Sequence, residues 1–368
     1  MNTDTPFGWL LGGMTFLLMG VIAGAVGNDG GGAAGGGWVP GTSVWIKVSD
    51  CVHVVRDEAA GAVWVDRLFD NARGYRWDAP GARIRFRTDS TEVAVHLMYS
   101  ARHIGPARNS VGFYRIDGAG EDGWRFTRPT GAEFPGDAPL VLKLPVPVGD
   151  KPVFHDYELI LPYGDAVEVR GIGVTATARW ETPAARPAMR WVAFGDSVTH
   201  GFTSSAVVHS YPFIVGEAKG WQVINAGIGG RGAMEVDGAR LAGIDADVYS
   251  VAIGVNNWQG GNELEAFRKN IDGLLKGLLH ERPKARVYVI TPLWVPPTWK
   301  PENAKYPLEE YRTVIREVVA ELASERVVLI DGPELIDHDA ALFDKVAVHP
   351  NDAGFAQMAD RLVMALNR

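Results

Sequence analysis

A single cysteine, Cys51, stands in 368 residues. One thiol excludes an intramolecular disulfide and any Cys-rich zinc site, and it reads as a small buried apolar residue. The nine histidines show no HExxH or other close ligand spacing, so no metal is expected. Basic runs are missing as well. With 36 Lys and Arg against 44 Asp and Glu, a formal net charge of −8, the chain lacks the basic face that nucleic-acid binding needs. A small neutral substrate is the expected partner. What is plentiful is apolar surface: 46% hydrophobic and 10% aromatic residues suffice for two cores, and two domains are expected.

Residues 1–27 contain no Lys or Arg, and Trp9 to Gly27 is one uncharged stretch. Its length fits a secretory signal or a marginal membrane span, with Ala23-Gly24-Ala25 as a small-x-small cleavage site. Asp4 and the missing basic n-region argue against a signal. The expectation is export, to a periplasm or outside the cell, or association with a membrane through this segment; a mis-assigned start, with a cytoplasmic protein, is the alternative. Residues 28–44 follow as a glycine-rich tether, with folding expected to begin near Trp38 to Val44.

Residues 45–185 read as all-β. Short segments rich in branched and aromatic residues, several alternating in and out, include Ile84-Arg85-Phe86-Arg87, Val93-Ala94-Val95-His96-Leu97 and Tyr157-Glu158-Leu159-Ile160-Leu161. Turn clusters such as Asp117-Gly118 separate them, and no helical period of similar length intervenes, so a β-sandwich is expected. Its role is to wall one side of a site, or to bind carbohydrate by itself.

After a proline-bearing hinge, Thr182 to Pro187, the rhythm changes over residues 188–368. Apolar strands at 191–194, 221–225, 247–253, 286–291 and 327–331 alternate with helical stretches at 263–279 and 308–322. Such alternation implies a parallel sheet covered on both faces, with ligands outside the carboxyl ends of its strands.

Four blocks fall at or near those ends. Gly195-Asp196-Ser197 follows the first strand, placing a serine where the strand breaks; a serine nucleophile there needs a base and oxyanion donors. Asn225 to Gly232 contains GxGxxG, but the next strand ends in Gly254-Val255-Asn256-Asn257 with no carboxylate to hold a ribose, so dinucleotide binding is not expected. Instead the glycines let a main-chain N–H approach a reacting carbonyl. Asn256 brings a side-chain amide to the same mouth, and His349 precedes a C-terminal amphipathic helix.

Taken in order, Gly195-Asp196-Ser197, Gly230 after Asn225, Gly254-Val255-Asn256 and His349-Pro350-Asn351 resemble the SGNH, or GDSL-type, hydrolase superfamily. The upstream stretch Arg83 to Ser90 is similar to the N-terminal sandwich of two-domain members, including acetyl-sugar esterases. The resemblance implies a flavodoxin-like α/β/α domain with a parallel sheet, preceded by a jelly-roll-like β-sandwich. It implies Ser197 as nucleophile, His349 as general base and then acid, and the N–H groups of Ser197 and Gly230 with the Asn256 amide as oxyanion hole, with no metal or organic cofactor required. Two departures stand out. The family's Asp three residues before the histidine is here Val346, so either Asp344 reaches the ring through a bulge or a main-chain carbonyl orients it, leaving a dyad; and Asn257 stands where Asp is common.

Trp294 and Trp299, in the rigid Thr291 to Trp299 loop, and Trp258 are expected to form an acyl pocket or a stacking platform for a sugar, or else to pack against the β-domain. With no amphipathic lid, a short acyl group is favoured. The resulting expectation is a serine esterase acting on short-chain, acetyl esters of small molecules or oligosaccharides. An acyltransferase using the same serine and a non-catalytic carbohydrate-binding protein are the alternatives.

Overall fold

The computed structural model describes residues 37–67, 77–78, 80–99, 112–118, 123–127, 130–131, 140–147, 152–161, 166–345 and 348–367. The apolar segment expected to direct export or anchoring lies outside them, as does Val346. Residues 34–368 form one compact unit, so the two expected domains are two folds within a single body.

The first fold is antiparallel throughout. Its strands are β1 (Trp38–Pro40), β2 (Lys47–Ser49), β3 (His53–Asp57), β4 (Ala62–Asp66), β5 (Arg83–Thr88), β6 (Val93–Tyr99), β7 (Phe113–Ile116), β8 (Arg125–Phe126), β9 (Thr130–Gly131), β10 (Leu140–Leu144), β11 (His155–Ile160), β12 (Val167–Val174) and β13 (Trp180–Glu181). One sheet runs β3-β4-β12-β6-β10-β9, with β1 on β12; the other runs β13-β5-β11-β7-β8, with β2 on β5. Alternate residues of both sheets, among them Val63, Val65, Ile84, Phe86, Val95 and Leu97, meet in one buried core, as the period of two requires. Folding begins at Trp38, within the expected window Trp38 to Val44: Trp38 to Pro40 pair with Gly173 to Gly171, so residues 38–44, given to the tether, belong to the sandwich.

Cys51 is half-buried. Desolvation, with a smaller contribution from the Asp50 charge, pushes its thiol up to about 12, so it is inert rather than nucleophilic at neutral pH.

The second fold holds the parallel strands β14 (Arg190–Gly195), β15 (Gln222–Gly227), β16 (Val248–Ala252), β17 (Arg286–Ile290) and β18 (Val327–Ile330), in the spatial order β15-β14-β16-β17-β18. Renumbered within this sheet the order is 2-1-3-4-5, the flavodoxin-like arrangement, with the strand reversal beside β14. Its helices are α1 (Ser197–His200), α2 (Tyr211–Lys219), α3 (Asp237–Ala242), α4 (Val255–Gln259), α5 (Leu264–Glu281), α6 (Leu308–Leu322) and α7 (Asp352–Ala365). Val192, Phe194, Tyr249 and Val251 pack with α3, α5 and α6 on one face, whereas Trp191, Ala193, Tyr288 and Ile290 pack with α2 and α7 on the other. The strands are buried on both faces, which is why they read as continuous apolar runs rather than alternating ones.

The two folds are joined by apolar packing of Ile160 with Val207, Val208 and Phe213. An ion network adds to it: Glu158 and Glu217 both take Arg83 and Arg115, and Asp50 takes Arg186 at 2.8 Å.

Candidate active site

β14 lies between β15 and β16, so the loops leaving three neighbouring strand ends share one mouth. Ser197 leaves β14 and is the first residue of α1. Asp196 caps that single turn, accepting the Val198 N–H at 3.0 Å, and Gly201 closes it at φ 96°, a left-handed conformation in which a side chain would be strained. The cap turns the chain sharply at the serine and leaves it half-exposed.

His349 comes from a turn closed by the Phe343–Pro350 bridge, immediately before α7. Asn351 caps α7 by accepting the Gly354 N–H at 3.1 Å. The Ser197 hydroxyl and His349 Nε2 are 2.8 Å apart, within reach for proton transfer. Several ties hold the two loops together. The Thr203 hydroxyl donates to the Pro350 carbonyl at 2.9 Å, the Ser205 N–H donates to Asp352 at 2.7 Å, and the Phe202 ring lies 4.9 Å from the His349 ring. Thr203 makes its bond from φ 77°, a conformation costly for a β-branched residue and of the kind found where a loop is held in place for function.

Asp344 lies in the same turn as His349. Its N–H donates to the His349 carbonyl at 2.9 Å, so the described link between them runs through the main chain.

Gly230 follows β15 in an exposed turn at φ 75°, and Asn256 is the second residue of α4, after β16. The Asn256 amide donates to the Arg231 carbonyl at 3.0 Å, which fixes Asn256 beside the Gly230 turn. Arg231 is anchored in turn by a buried pair with Asp237, Nε to Oδ2 at 3.0 Å. Asn257, the departure from Asp, is buried and accepts the Ala233 N–H at 2.8 Å, which an Asp carboxylate would accept equally well. The glycines of the GxGxxG stretch thus shape a turn: a Cβ on Gly227 would overlap the main chain of Thr199 and His200.

The tryptophans divide. Trp258 is 8% exposed, belongs to the core, donates its indole N–H to the Tyr306 carbonyl at 3.1 Å and meets Trp299 edge to face at 5.3 Å. Its placement as an open stacking platform is therefore corrected; its flat apolar faces are used in packing. The expected alternative partner is corrected too, since these contacts lie within the α/β fold rather than against the sandwich. Trp294 is half-buried and stacks on His338 at 5.2 Å, and Trp299 is half-buried.

An apolar crevice lies beside the Ser197 and His349 loops, lined by Val198, Val255, Leu293, Val295, Val348 and Met358, with a volume near 30 Å³. Larger hollows occur on the sandwich, one of about 380 Å³ beside Arg115 and Arg125, but they share no residue with the Ser197 and His349 loops. Size alone does not locate the site.

Three residues escaped the sequence reading. His200 ends α1, three residues after Ser197, is buried and pairs with Asp78; Arg67 pairs with Asp78 at 3.9 Å. His200 was visible just past the Gly195-Asp196-Ser197 block, but its partner lies 122 positions upstream in the other fold, where spacing carries no signal.

Residues 193–357 match the family model of the GDSL-like lipase/acylhydrolase family. Among solved structures, a salicylyl-acyltransferase, SsfX3, from a tetracycline biosynthetic pathway is 19% identical, with a TM-score of 0.72 over 90% of this chain and 97% of its own. A putative GDSL-like lipase from Bacteroides ovatus is 19% identical, with a TM-score of 0.69 over 90% and 96%. A family two carbohydrate esterase from Cellvibrio japonicus is 16% identical, with a TM-score of 0.62 over 90% and 96%. At such identities the likeness is one of fold, and it extends over both halves. No curated protein matches the chain by sequence. With the matching stretch, the strand order and the four blocks in agreement, residues 193–357 form a domain of the GDSL-like lipase/acylhydrolase family.

Proposed function

We propose that this protein is a serine esterase that removes short acyl groups, acetyl in particular, from carbohydrate through an acyl-enzyme. The observation that carries the reading is the 2.8 Å contact between the Ser197 hydroxyl and His349 Nε2, at a mouth flanked by Gly230 and Asn256. His349 takes the serine proton as the oxygen attacks the ester carbonyl, and the N–H groups of Ser197 and Gly230 with the Asn256 amide stabilise the oxyanion. The imidazolium then protonates the departing alcohol. Water, deprotonated by the same ring, releases the acid and restores the serine.

The small crevice beside the pair, with room for about one water-sized group, supports a short acyl chain. The carbohydrate esterase among the structures of like fold supports the sugar alcohol, with Trp294 and Trp299 as its contacts. Asp344 is assigned to setting the imidazole through the turn it shares with His349. Both Asp344→Ala and Asp344→Asn keep the main-chain bond, so a lower kcat in Asp344→Ala, with more retained in Asp344→Asn, which keeps an acceptor oxygen, is the outcome expected if the side chain also orients the ring.

A second reading, transfer of the acyl group to an alcohol, is favoured by the acyltransferase of like fold. Turnover of p-nitrophenyl acetate that disappears in Ser197→Ala tests the catalytic reading, and its absence in wild type leaves a binding protein. Product analysis with and without an added alcohol separates hydrolysis from transfer. The uncharged segment Trp9 to Gly27 is proposed to direct export or membrane anchoring; fractionation of cells expressing the full chain tests it.

A further inference from the structure

The β-sandwich fold reaches under the catalytic mouth with two buried charges. Arg67, just past β4, donates from Nη2 to the carbonyls of Asn225, at 3.2 Å, and Gly227, the residues that end β15 and lead to the Gly230 turn. Asp78 accepts from Nε2 of His200, the last residue of the helical turn that Ser197 opens, and lies 3.9 Å from Arg67 Nη1. Arg67, Asp78 and His200 are each at most 3% exposed.

The Asn225 side chain closes the circuit. It accepts the Gly227 N–H at 2.9 Å and donates to the Thr199 carbonyl at 2.8 Å, while the Ile228 N–H donates to the Gly195 carbonyl at 3.0 Å. The nucleophile turn and the oxyanion loop are thus bonded to each other and to one Arg–Asp pair from the other fold.

We propose that Arg67 and Asp78 are positioning residues of the esterase: the sandwich fold sets the distance between the Ser197 turn and the Gly230 loop through this pair. The chemistry fits the task. A planar guanidinium spans two carbonyls at once, and with so little water present its bonds are strong and directional. Burying two charges is costly, and an apolar wall would serve stability as well or better, so the pair's return is in geometry. Oxyanion donors act only when set within a fraction of an ångström, and a displacement of about 1 Å costs on the order of 10²-fold in rate.

The inference rests on the esterase reading, and one set of measurements separates the two. The full chain is assayed as wild type, Arg67→Met, Arg67→Lys, Asp78→Leu, Asp78→Asn and Arg115→Gln. Readouts are kcat and KM with p-nitrophenyl acetate, the rate at which a fluorophosphonate labels Ser197, and the thermal midpoint. Arg67→Met and Asp78→Leu are expected to lower kcat and the labelling rate about 10²-fold with KM within twofold. Arg67→Lys and Asp78→Asn should recover part of the loss. Arg115→Gln, which loosens the ion network between the folds away from the mouth, should lower the midpoint and leave kcat unchanged.

Wild-type kcat in a folded Arg67→Met overturns the proposal. Should the Met and Leu variants fail to fold, wild-type kcat in both Arg67→Lys and Asp78→Asn overturns it equally. A wild type that neither turns over acetate nor is labelled removes the esterase reading and this inference with it, whereas an active wild type with indifferent variants removes this inference alone.

Discussion

Asn256 places its side-chain amide 3.0 Å from the main-chain oxygen of Arg231, one residue beyond Gly230. A carboxamide nitrogen carries two hydrogens, so this bond orients the group and leaves the second N–H for an oxyanion. Asn256→Ala is expected to lower kcat by roughly 10²–10³, about 3–4 kcal/mol of transition-state stabilisation. A loss below about tenfold, measured with p-nitrophenyl acetate, removes Asn256 from the mechanism.

Asp196 is buried, and desolvation pushes its carboxyl up to about 7 despite the Val198 N–H that favours the charged form. The folded state therefore holds a proton that the unfolded chain has already released near pH 4. Stability contributed by this group is full below that point, falls as pH rises toward 7, and is gone above it. Asp196→Asn keeps a capping oxygen and discards the charge. It is expected to raise stability at pH 8 by a few kcal/mol, on the order of 3, and to change it little at pH 4. Urea midpoints at the two pH values check this; equal shifts at both contradict it.

Gly227 has no room for a side chain, because a Cβ there would meet the main chain of Thr199 and His200. Gly227→Ala is expected to push the nucleophile turn away from β15 and to lower kcat by on the order of 10²-fold. The far-ultraviolet circular dichroism should be retained. A folded variant with undiminished labelling of Ser197 by a fluorophosphonate rules the contact out as a constraint on the site.

Trp258 and Trp299 touch edge to face, yet they are expected to respond differently to truncation. Trp258→Ala empties a core position and should cost about 3–5 kcal/mol of stability. Trp299→Ala should leave stability nearly intact and raise KM for an acetylated oligosaccharide by about two- to tenfold, the scale of an aromatic contact. Denaturant titration and initial rates separate the two effects, and an unchanged KM in Trp299→Ala ends its assignment to the sugar site.

Much of the fold was legible because local patterns carry it. Buried parallel strands write continuous apolar runs, and the five expected segments are β14 to β18; the amphipathic stretches at 263–279 and 308–322 are α5 and α6. Folding was expected to begin near Trp38 to Val44, but the boundary drawn at residue 45 left out β1, which is three residues long, too short to show alternation, and is held by its pairing with β12. The sequence leaves Trp258 open between an acyl pocket, a sugar platform and a packing role, because a tryptophan after a strand end looks alike whether its faces meet solvent or Trp299. Which holds depends on the Tyr306 segment 48 positions away.

By itself the sequence determined the chemistry on offer: a serine at a strand end, a histidine before the last helix, glycines and an asparagine at the intervening strand ends, and no metal-ligand spacing. It could do so because strand ends, caps and turns are short-range events, set by the residues that form them. Only the tertiary structure decided which of these groups meet. The 2.8 Å contact of Ser197 with His349 spans 152 positions, and the Asp78–His200 pair spans 122 and crosses from one fold to the other. Such contacts come from the strand order and the packing of the two folds, which no local pattern encodes.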